Sequence, residues 1–225
     1  MSHPALSRGG LQAVLFDLDG TLIDSAADLA RAANAMRAAR GLADLPLAQY
    51  RPHGGSGARG MLAQAFDVAP GQPAYDDLKR EFLNRYEGLM FDMTQPFAGI
   101  VEQLAGLTRA GLPWGVVTNK AERFALPLTR ALALQGGAVV GGDTTAHAKP
   151  HPAPLLEAAR RLGVDPARCL YVGDDERDVV AGRAAGMATA VAAWGYLGLG
   201  TPHERWGSDI LLAQPADLLK TLGLA

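Results

Sequence analysis

Short apolar runs followed by turn residues recur along the chain and predict the strands of a parallel sheet. Such a strand is buried on both faces, so it appears as an unbroken apolar run of about four to eight residues rather than as an alternating pattern. The runs lie at 11–16, 113–117, 169–172, 189–194 and 210–213, with a weaker one at 138–140.

Between these runs, apolar residues recur every three or four positions, as is typical of amphipathic helices. In the segment 100–109, apolar residues recur at Ile100, Val101, Leu104 and Leu107, and Gly111 follows as a stop signal. Similar segments lie at 124–134, 153–162 and 178–185. Strands that alternate with helices predict an α/β fold with a parallel sheet and right-handed crossovers.

Residues 25–92 break this alternation, because they contain helical patterns and no apolar run of the strand type. The helical patterns lie at 26–39, 58–66 and 75–90. The simplest arrangement is a small helical domain inserted after the first strand. We therefore predict a discontinuous core of residues 1–24 and 93–225 and a helical domain of residues 25–92.

The composition is that of a globular protein, since 48% of the 225 residues are hydrophobic and 20% are charged. A net charge of −2 gives no electrostatic basis for binding nucleic acid or an anionic membrane. Glycine and proline interrupt the uncharged segment 184–203, so we expect a strand and a loop there rather than a membrane helix. The single cysteine, Cys169, and the polar residues 1–10 favour a cytoplasmic protein without a signal peptide.

The first apolar run ends in two carboxylates, Asp17 and Asp19, followed by Gly20. In open α/β sheets, ligands bind beyond the carboxyl ends of the strands, so acids at this place indicate a site. Gly20 permits a sharp turn that brings backbone N–H groups toward an anion. A structural alternative is that Asp17 caps a helix and Asp19 is a turn residue.

The run at 169–172 ends in the same way, with Asp174, Asp175 and Asp178 close behind it. These acids also suit the positive end of a helix dipole, which accounts for Asp175 better than for Asp174. Carboxylates that face Asp17 would form an all-oxygen site of the kind that Mg²⁺ prefers.

Two further segments offer groups that bind phosphate. Thr118 and Asn119 follow the run at 113–117 and can donate hydrogen bonds to a phosphoryl oxygen. Lys149 lies in a proline-rich loop, which would hold its ammonium in a fixed place. Taken singly, these residues are also common in ordinary loops and on protein surfaces.

Together the motifs form an ordered set: DxDGTLxDS, then TN, then KPxP, then GDxxxD. The set resembles the haloacid dehalogenase (HAD) superfamily of hydrolases over essentially the whole chain. The resemblance implies a Rossmann-like core and makes residues 25–92 a cap domain. The phrases VVTNK, KPHPAPL and VGDDERDVVAGRAAG resemble the phosphoglycolate phosphatase branch. The phrases EFLNRYE and LPWGVVTNKAERFALP resemble, more narrowly, N-acetylmuramic acid 6-phosphate phosphatases.

The resemblance implies a role for each motif residue in phosphate ester hydrolysis. Asp17 would be the nucleophile that forms an aspartyl phosphate, and Asp19 the general acid and then the general base. Thr118 and Asn119 would hold the phosphoryl oxygens, and Lys149 would steady the nucleophile and the phosphoryl charge.

The resemblance also implies a Mg²⁺ site. The ligands would be the Asp17 carboxylate, the Asp19 backbone carbonyl and Asp174, while Asp178 would act indirectly or through water. Asp175 has no role by this resemblance.

The cap would supply substrate selectivity through the glycine-rich turn at 53–60, which opens a helix. We predict that Arg59 or His53 contacts the substrate, the alternative being a flexible loop with a solvated arginine. The links at 23–26 and 94–96 would be the hinges of cap closure.

We therefore predict a Mg²⁺-dependent phosphomonoester hydrolase of the phosphoglycolate phosphatase type that acts on a small phosphorylated metabolite, as a monomer or homodimer. The alternatives are an N-acetylmuramic acid 6-phosphate phosphatase, a sugar phosphomutase with the same motifs and, less favoured, a phospho-aspartate receiver. Asp19 and Asp174 argue against a dehalogenase, because that reaction needs neither a metal nor a leaving-group acid.

Overall fold

A computed structural model describes residues 3–6 and 10–224, and eight strands lie within them. Six strands form one sheet in the order β5-β4-β1-β6-β7-β8, with every neighbouring pair parallel. The strands are β1 (Ala13–Phe16), β2 (Ile23–Asp24), β3 (Gln95–Pro96), β4 (Trp114–Val117), β5 (Ala138–Val140), β6 (Cys169–Gly173), β7 (Ala188–Ala192) and β8 (Ile210–Leu212). Each of the six predicted runs overlaps a strand of this sheet, which confirms the α/β fold.

Nine α-helices lie in the described part of the chain. They are α1 (Ala26–Ala38), α2 (Leu47–Tyr50), α3 (Gly57–Phe66), α4 (Tyr75–Glu87), α5 (Ile100–Arg109), α6 (Glu122–Ala131), α7 (Ala153–Leu162), α8 (Glu176–Ala184) and α9 (Asp217–Thr221). The predicted end of α6 was wrong because Ala133 has φ of 54° and turns the chain, while Leu134 is still buried. The short helices α2 and α9 were not predicted.

Strand β1 lies at the centre of the sheet, and its side chains alternate between two apolar layers. Val14 and Phe16 pack into one buried cluster and Ala13 and Leu15 into the other, as the pleat of a strand requires. Because β4 and β6 flank β1 in parallel register, Phe16 lies opposite both Val116 and Val172. The residues that follow these three strands therefore emerge side by side at one edge.

The helices α1 to α4 lie between β2 and β3, and this inserted helical unit is the cap expected from the sequence. Strands β2 and β3 pair antiparallel, so the chain enters and leaves the cap at one place. The buried Asp28 carboxylate ties the start of α1 to the return segment, since its Oδ2 accepts from Met93 N, Thr94 N and Thr94 Oγ1 at 3.0, 2.9 and 2.8 Å. The pairing coincides with the two predicted hinges, while the domain boundaries themselves stay a prediction.

The segment around β7 and the single cysteine have the expected structures. Residues 184–203 contain β7 and a loop, and Cys169 is a buried residue at the start of β6. Among the described residues, no helix has both the length and the apolar character needed to cross a membrane.

Candidate active site

The predicted site residues converge on one cavity between the sheet edge and the cap. Asp17 and Asp19 follow β1, Thr118 and Asn119 follow β4, and Lys149 lies in the loop before α7. All five line a cavity of about 610 Å³, together with Asp178. Parallel strands deliver their following residues to the same edge, so residues far apart in sequence meet here.

Three buried carboxylates form the most strongly charged part of the site. Asp17, Asp174 and Asp178 each offer an oxygen, and these atoms lie within 4.8 Å of one another. Burial raises the pKa of Asp17 to about 6 despite Lys149, and Asp178 adds to the increase. Burial and then the charges of Asp17 and Asp178 raise the pKa of Asp174 well above its usual value.

Lys149 is the cation that this cluster encloses. Its Nζ lies 2.9 Å from Asp17 Oδ1, 2.8 Å from Asp178 Oδ1 and 2.7 Å from the Tyr171 hydroxyl. Burial alone would lower the pKa of Lys149, but the two carboxylates outweigh it and raise the pKa. One ammonium against three carboxylates leaves an excess of negative charge in a buried all-oxygen donor set, which fits a hard divalent cation.

Asn119 holds the lysine loop in place. Its Nδ2 donates to the Lys149 carbonyl and its Oδ1 accepts from Lys149 N, both at 2.9 Å. Both ends of the amide are thus engaged with one backbone residue, a positioning contact that the sequence did not reveal. The predicted contact of Asn119 with a phosphoryl oxygen stays a prediction, and it would use the backbone N–H.

Asp174 is positioned by hydrogen bonds and by two glycines. Its Oδ1 accepts from Thr21 Oγ1 and its Oδ2 from Tyr196 N, both at 2.8 Å. A Cβ on Gly20, where φ is +89°, would lie 2.1 Å from Asp174 Oδ2, and a Cβ on Gly195 would lie 2.2 Å from Asp174 Cβ. Side chains at either glycine would therefore displace the carboxylate.

Asp175, to which the family resemblance assigned no role, caps helix α8, in line with the expectation that it suits the start of a helix. Its carboxylate accepts from Arg177 N, while Asp178 Oδ2 accepts from Asp175 N at 3.1 Å, so Asp178 is fixed by a capping box. The Arg177 guanidinium binds both oxygens of Asp175 at 2.7 Å and also donates to the carbonyl of Gly55 in the cap at 2.8 Å. This arginine, which the sequence analysis missed, links core and cap.

Lys120 is a second missed residue, and it binds the predicted acid–base residue. Its buried Nζ lies 2.9 and 3.0 Å from the two carboxylate oxygens of Asp19, and Ser25 Oγ donates to Asp19 Oδ1 at 2.5 Å. The ammonium also lies 4.8 Å from the ring centre of Tyr86 in α4. Lys120 follows Thr118 and Asn119 directly, so the VVTNK phrase contained the signal, but the direction of its side chain did not follow from it.

Three exposed cations also line the cavity, namely Arg59 and Lys79 from the cap and Arg123 from the core helix α6. His53 is not among the lining residues, and the contact of Arg59 or His53 with the substrate stays a prediction. Within the described residues these three cations form neither ion pairs nor hydrogen bonds, although Arg123 lies over the ring of Phe124 at 4.4 Å.

Comparisons with known proteins agree with this geometry. The family model for haloacid dehalogenase-like hydrolases matches residues 11–186. A phosphoglycolate phosphatase of Xanthomonas campestris is 49% identical, covering 92% of this chain and 94% of its own. An N-acetylmuramic acid 6-phosphate phosphatase of Pseudomonas aeruginosa is 42% identical over 98% of both chains. The crystal structure of a predicted phosphoglycolate phosphatase from Haemophilus somnus superposes with a TM-score of 0.83 at 27% identity, covering 94% of this chain and 97% of that one.

Proposed function

Since the chain belongs to the haloacid dehalogenase-like hydrolases and is a phosphatase, we propose that Asp17 is its nucleophile and Mg²⁺ its cofactor. The observation that carries this proposal is the placement of Asp17. Asp17 lies directly after the C-terminal end of β1. Its carboxylate lies 2.9 Å from the Lys149 ammonium and within 4.8 Å of the Asp174 and Asp178 oxygens. A carboxylate attacks a phosphate dianion only where positive charge offsets their repulsion.

In the first step, an Asp17 oxygen forms a bond to phosphorus while the ester P–O bond breaks. The leaving oxygen takes a proton from Asp19, which the Ser25 hydroxyl and Lys120 hold in place. Thr118 lies at the end of β4 beside the nucleophile, where its hydroxyl and the neighbouring backbone can bind the phosphoryl oxygens.

In the second step, water attacks the phosphorus of the aspartyl phosphate and gives its proton to Asp19. The P–O bond to Asp17 breaks, inorganic phosphate leaves, and Asp17 and Asp19 return to their starting states. One arrangement serves both steps, because each is an in-line displacement at the same phosphorus.

The cation would be held by the carboxylates of Asp17 and Asp174 and by the Asp19 backbone carbonyl, with Asp178 acting indirectly or through water. When bound, it supplies the positive charge that lets an anionic nucleophile approach an anionic substrate. The excess of carboxylates over ammonium groups in this cluster supports the assignment.

For the substrate, we propose a small phosphate monoester that carries a carboxylate, with 2-phosphoglycolate as the first candidate. The name of the Xanthomonas relative supports this choice. N-acetylmuramic acid 6-phosphate is a second candidate, because a cavity of about 610 Å³ lies in the range of about 300–1,000 Å³ that holds larger ligands. The exposed Arg59, Lys79 and Arg123 could meet a carboxylate far from the phosphate. The assignment as a phosphatase sets aside the phosphomutase and receiver alternatives.

The test is phosphate release from 2-phosphoglycolate, N-acetylmuramic acid 6-phosphate and β-glucose 1-phosphate, with and without Mg²⁺. Asp17→Asn is compared with Asp44→Asn, the same chemical change at an exposed cap residue outside the cavity. We expect Mg²⁺-dependent turnover of one substrate that is lost only in Asp17→Asn. Release that survives this substitution would refute the proposed nucleophile, and no release from any ester would refute the proposed substrates.

A further inference from the structure

The hydroxyl of Tyr86 is buried without a partner. Among the described residues it is the buried side-chain polar atom that makes no hydrogen bond, although Tyr86 is only 1% exposed. Leaving a buried hydroxyl unsatisfied costs free energy, so such groups in folded proteins call for an explanation. Tyr86 also lines the cavity above the catalytic aspartates, which places the unsatisfied group next to the space that a substrate enters.

The Tyr86 ring is packed between two aromatic rings, which fixes the position of its hydroxyl oxygen. It stacks parallel to Phe82 at 6.3 Å between ring centres and meets the edge of Phe124 at 5.6 Å. Phe82 lies in the cap helix α4 and Phe124 in the core helix α6, so the hydroxyl position is set by the contact between cap and core.

Lys120 brings a second donor to the same place. Its ammonium lies 4.8 Å from the centre of the Tyr86 ring and donates to the two oxygens of Asp19. An ammonium carries three N–H groups, so a third N–H remains on the side of the Tyr86 hydroxyl, with which Lys120 interacts. Both Lys120 and Tyr86 line the cavity.

We propose that the Tyr86 hydroxyl and the Lys120 ammonium form a subsite for an anionic oxygen on the leaving group. This inference rests on the proposed function, in which Asp19 protonates the leaving oxygen. Lys120, which contacts Asp19, and Tyr86, which lies against Lys120, are then beside the leaving group. The Tyr86 O–H and the remaining Lys120 N–H fit a carboxylate on the carbon next to the ester oxygen, and Tyr86 is the specificity-determining residue.

The test uses two esters that differ at this position. 2-Phosphoglycolate carries a carboxylate on the carbon that bears the ester oxygen, and ethyl phosphate carries a methyl group there. With the Mg²⁺-loaded wild-type enzyme, we expect kcat/KM to be at least about tenfold higher for 2-phosphoglycolate. In Tyr86→Phe, which keeps the ring, kcat/KM for 2-phosphoglycolate should fall about 10- to 100-fold, the usual range for a hydrogen bond to a charged group. The kcat/KM of Tyr86→Phe for ethyl phosphate should stay within about twofold of the wild-type value.

Tyr50→Phe is the matched control, because Tyr50 is a buried cap tyrosine outside the cavity whose hydroxyl donates to Asn34 at 2.9 Å. It should leave the ratio of the two kcat/KM values unchanged.

The melting temperature gives a second readout. Tyr86→Phe removes an atom without a partner, so it should melt no lower than wild type, whereas Tyr50→Phe loses a hydrogen bond and should melt lower.

The outcomes separate this inference from the proposed function. If Asp17→Asn abolishes turnover but Tyr86→Phe keeps the wild-type preference for 2-phosphoglycolate, the subsite is wrong and the proposed function stands. A wild-type enzyme without that preference would also overturn the subsite. If Asp17→Asn remains active, the proposed function fails and the inference fails with it.

Discussion

The two walls of the cavity differ in how far they satisfy their own polar groups. The core wall consists of the residues that follow β1, β4 and β6 and of Lys149 in the loop before α7, and the cap wall of the residues contributed by α3 and α4. In the core wall, the Lys149 ammonium lies within 3.0 Å of four oxygens, and Asp174 accepts two hydrogen bonds. In the cap wall, the Tyr86 hydroxyl has no described partner, and Arg59 and Lys79 form no described ion pair.

This difference indicates that the core wall recognises the phosphoryl group of the substrate and that the cap wall recognises the remainder of the substrate. The core wall is arranged before any ligand arrives, as preorganised electrostatic stabilisation requires, and it recognises a phosphoryl group. The cap wall has hydrogen-bond donors without a described protein partner, so a substrate of matching shape and charge would complete its contacts. Removing a core group should therefore affect every ester, whereas removing a cap group should affect only particular ones.

Replacing Lys149 gives the largest expected effect. In Lys149→Met, three buried carboxylates face one another without an ammonium, so turnover should fall about 10³-fold for every ester. The free energy of unfolding should fall by about 3–5 kcal/mol, the usual loss when a buried ion pair loses one partner. Urea unfolding and phosphate release measure the two effects, with the exposed Lys220→Met as control. A loss confined to one substrate would contradict the assignment of Lys149 to the core wall.

The pH dependence of stability tests the repulsion within the core wall. The folded-state pKa of Asp17, about 6, lies above its ordinary value of 3.8, so the folded protein binds the extra proton and ionised Asp17 opposes folding. In metal-free protein above pH 6, Asp17→Asn should therefore be more stable than wild type by about 2–3 kcal/mol. The advantage should shrink as the pH falls from 6 toward 4, where wild-type Asp17 becomes protonated. Chemical unfolding at several pH values measures it, and an advantage that does not change with pH would contradict this account.

The Arg177 contact between the walls should have a smaller effect. In Arg177→Gln, the Gly55 carbonyl loses its donor from the core, so the turn at residues 53–60 should open more readily. We expect kcat/KM to fall about fivefold, equivalent to about 1 kcal/mol, for a net hydrogen bond of ordinary strength. Hydrogen exchange should be faster at 53–60 and unchanged in β6. Glu176→Gln, an exposed change at the neighbouring position, serves as control, and equal exchange in both variants would show that the contact does not hold the cap.

The exposed cations of the cap wall should have the smallest effect. In Arg59→Gln or Lys79→Gln, KM for a substrate with a carboxylate far from the phosphate should rise about two- to threefold, and the rise should vanish at high ionic strength. The kcat should not change, because neither side chain forms a described hydrogen bond or ion pair with a core wall residue. Steady-state kinetics at low and high salt, with Lys220→Gln as control, measure this effect. A fall in kcat would place these cations in the chemistry rather than in substrate binding.

The arrangement of the core wall could be predicted because it depends on local sequence. A buried parallel strand needs an apolar run, and the residue after that run must emerge at the sheet edge, so Asp17, Thr118 and Asp174 could be placed together from the sequence. Helix ends were harder to place. The buried Met90 and Leu134 continue an apolar pattern beyond the true ends of α4 and α6, where the chain has already turned.

The amino-acid sequence by itself determined the alternation of strands and helices, the position of the helical insertion and the acids at the strand ends, since each depends on neighbouring residues. Only the tertiary structure decided that Lys120 binds Asp19, that Arg177 reaches Gly55 and that the Tyr86 hydroxyl has no partner. The first two contacts join residues 101 and 122 positions apart. The Lys120 contact depends on the pairing of β1 with β4 in the sheet, and the Arg177 contact depends on how the cap packs on the core. No local pattern encodes the distance between two side chains that only tertiary packing brings together.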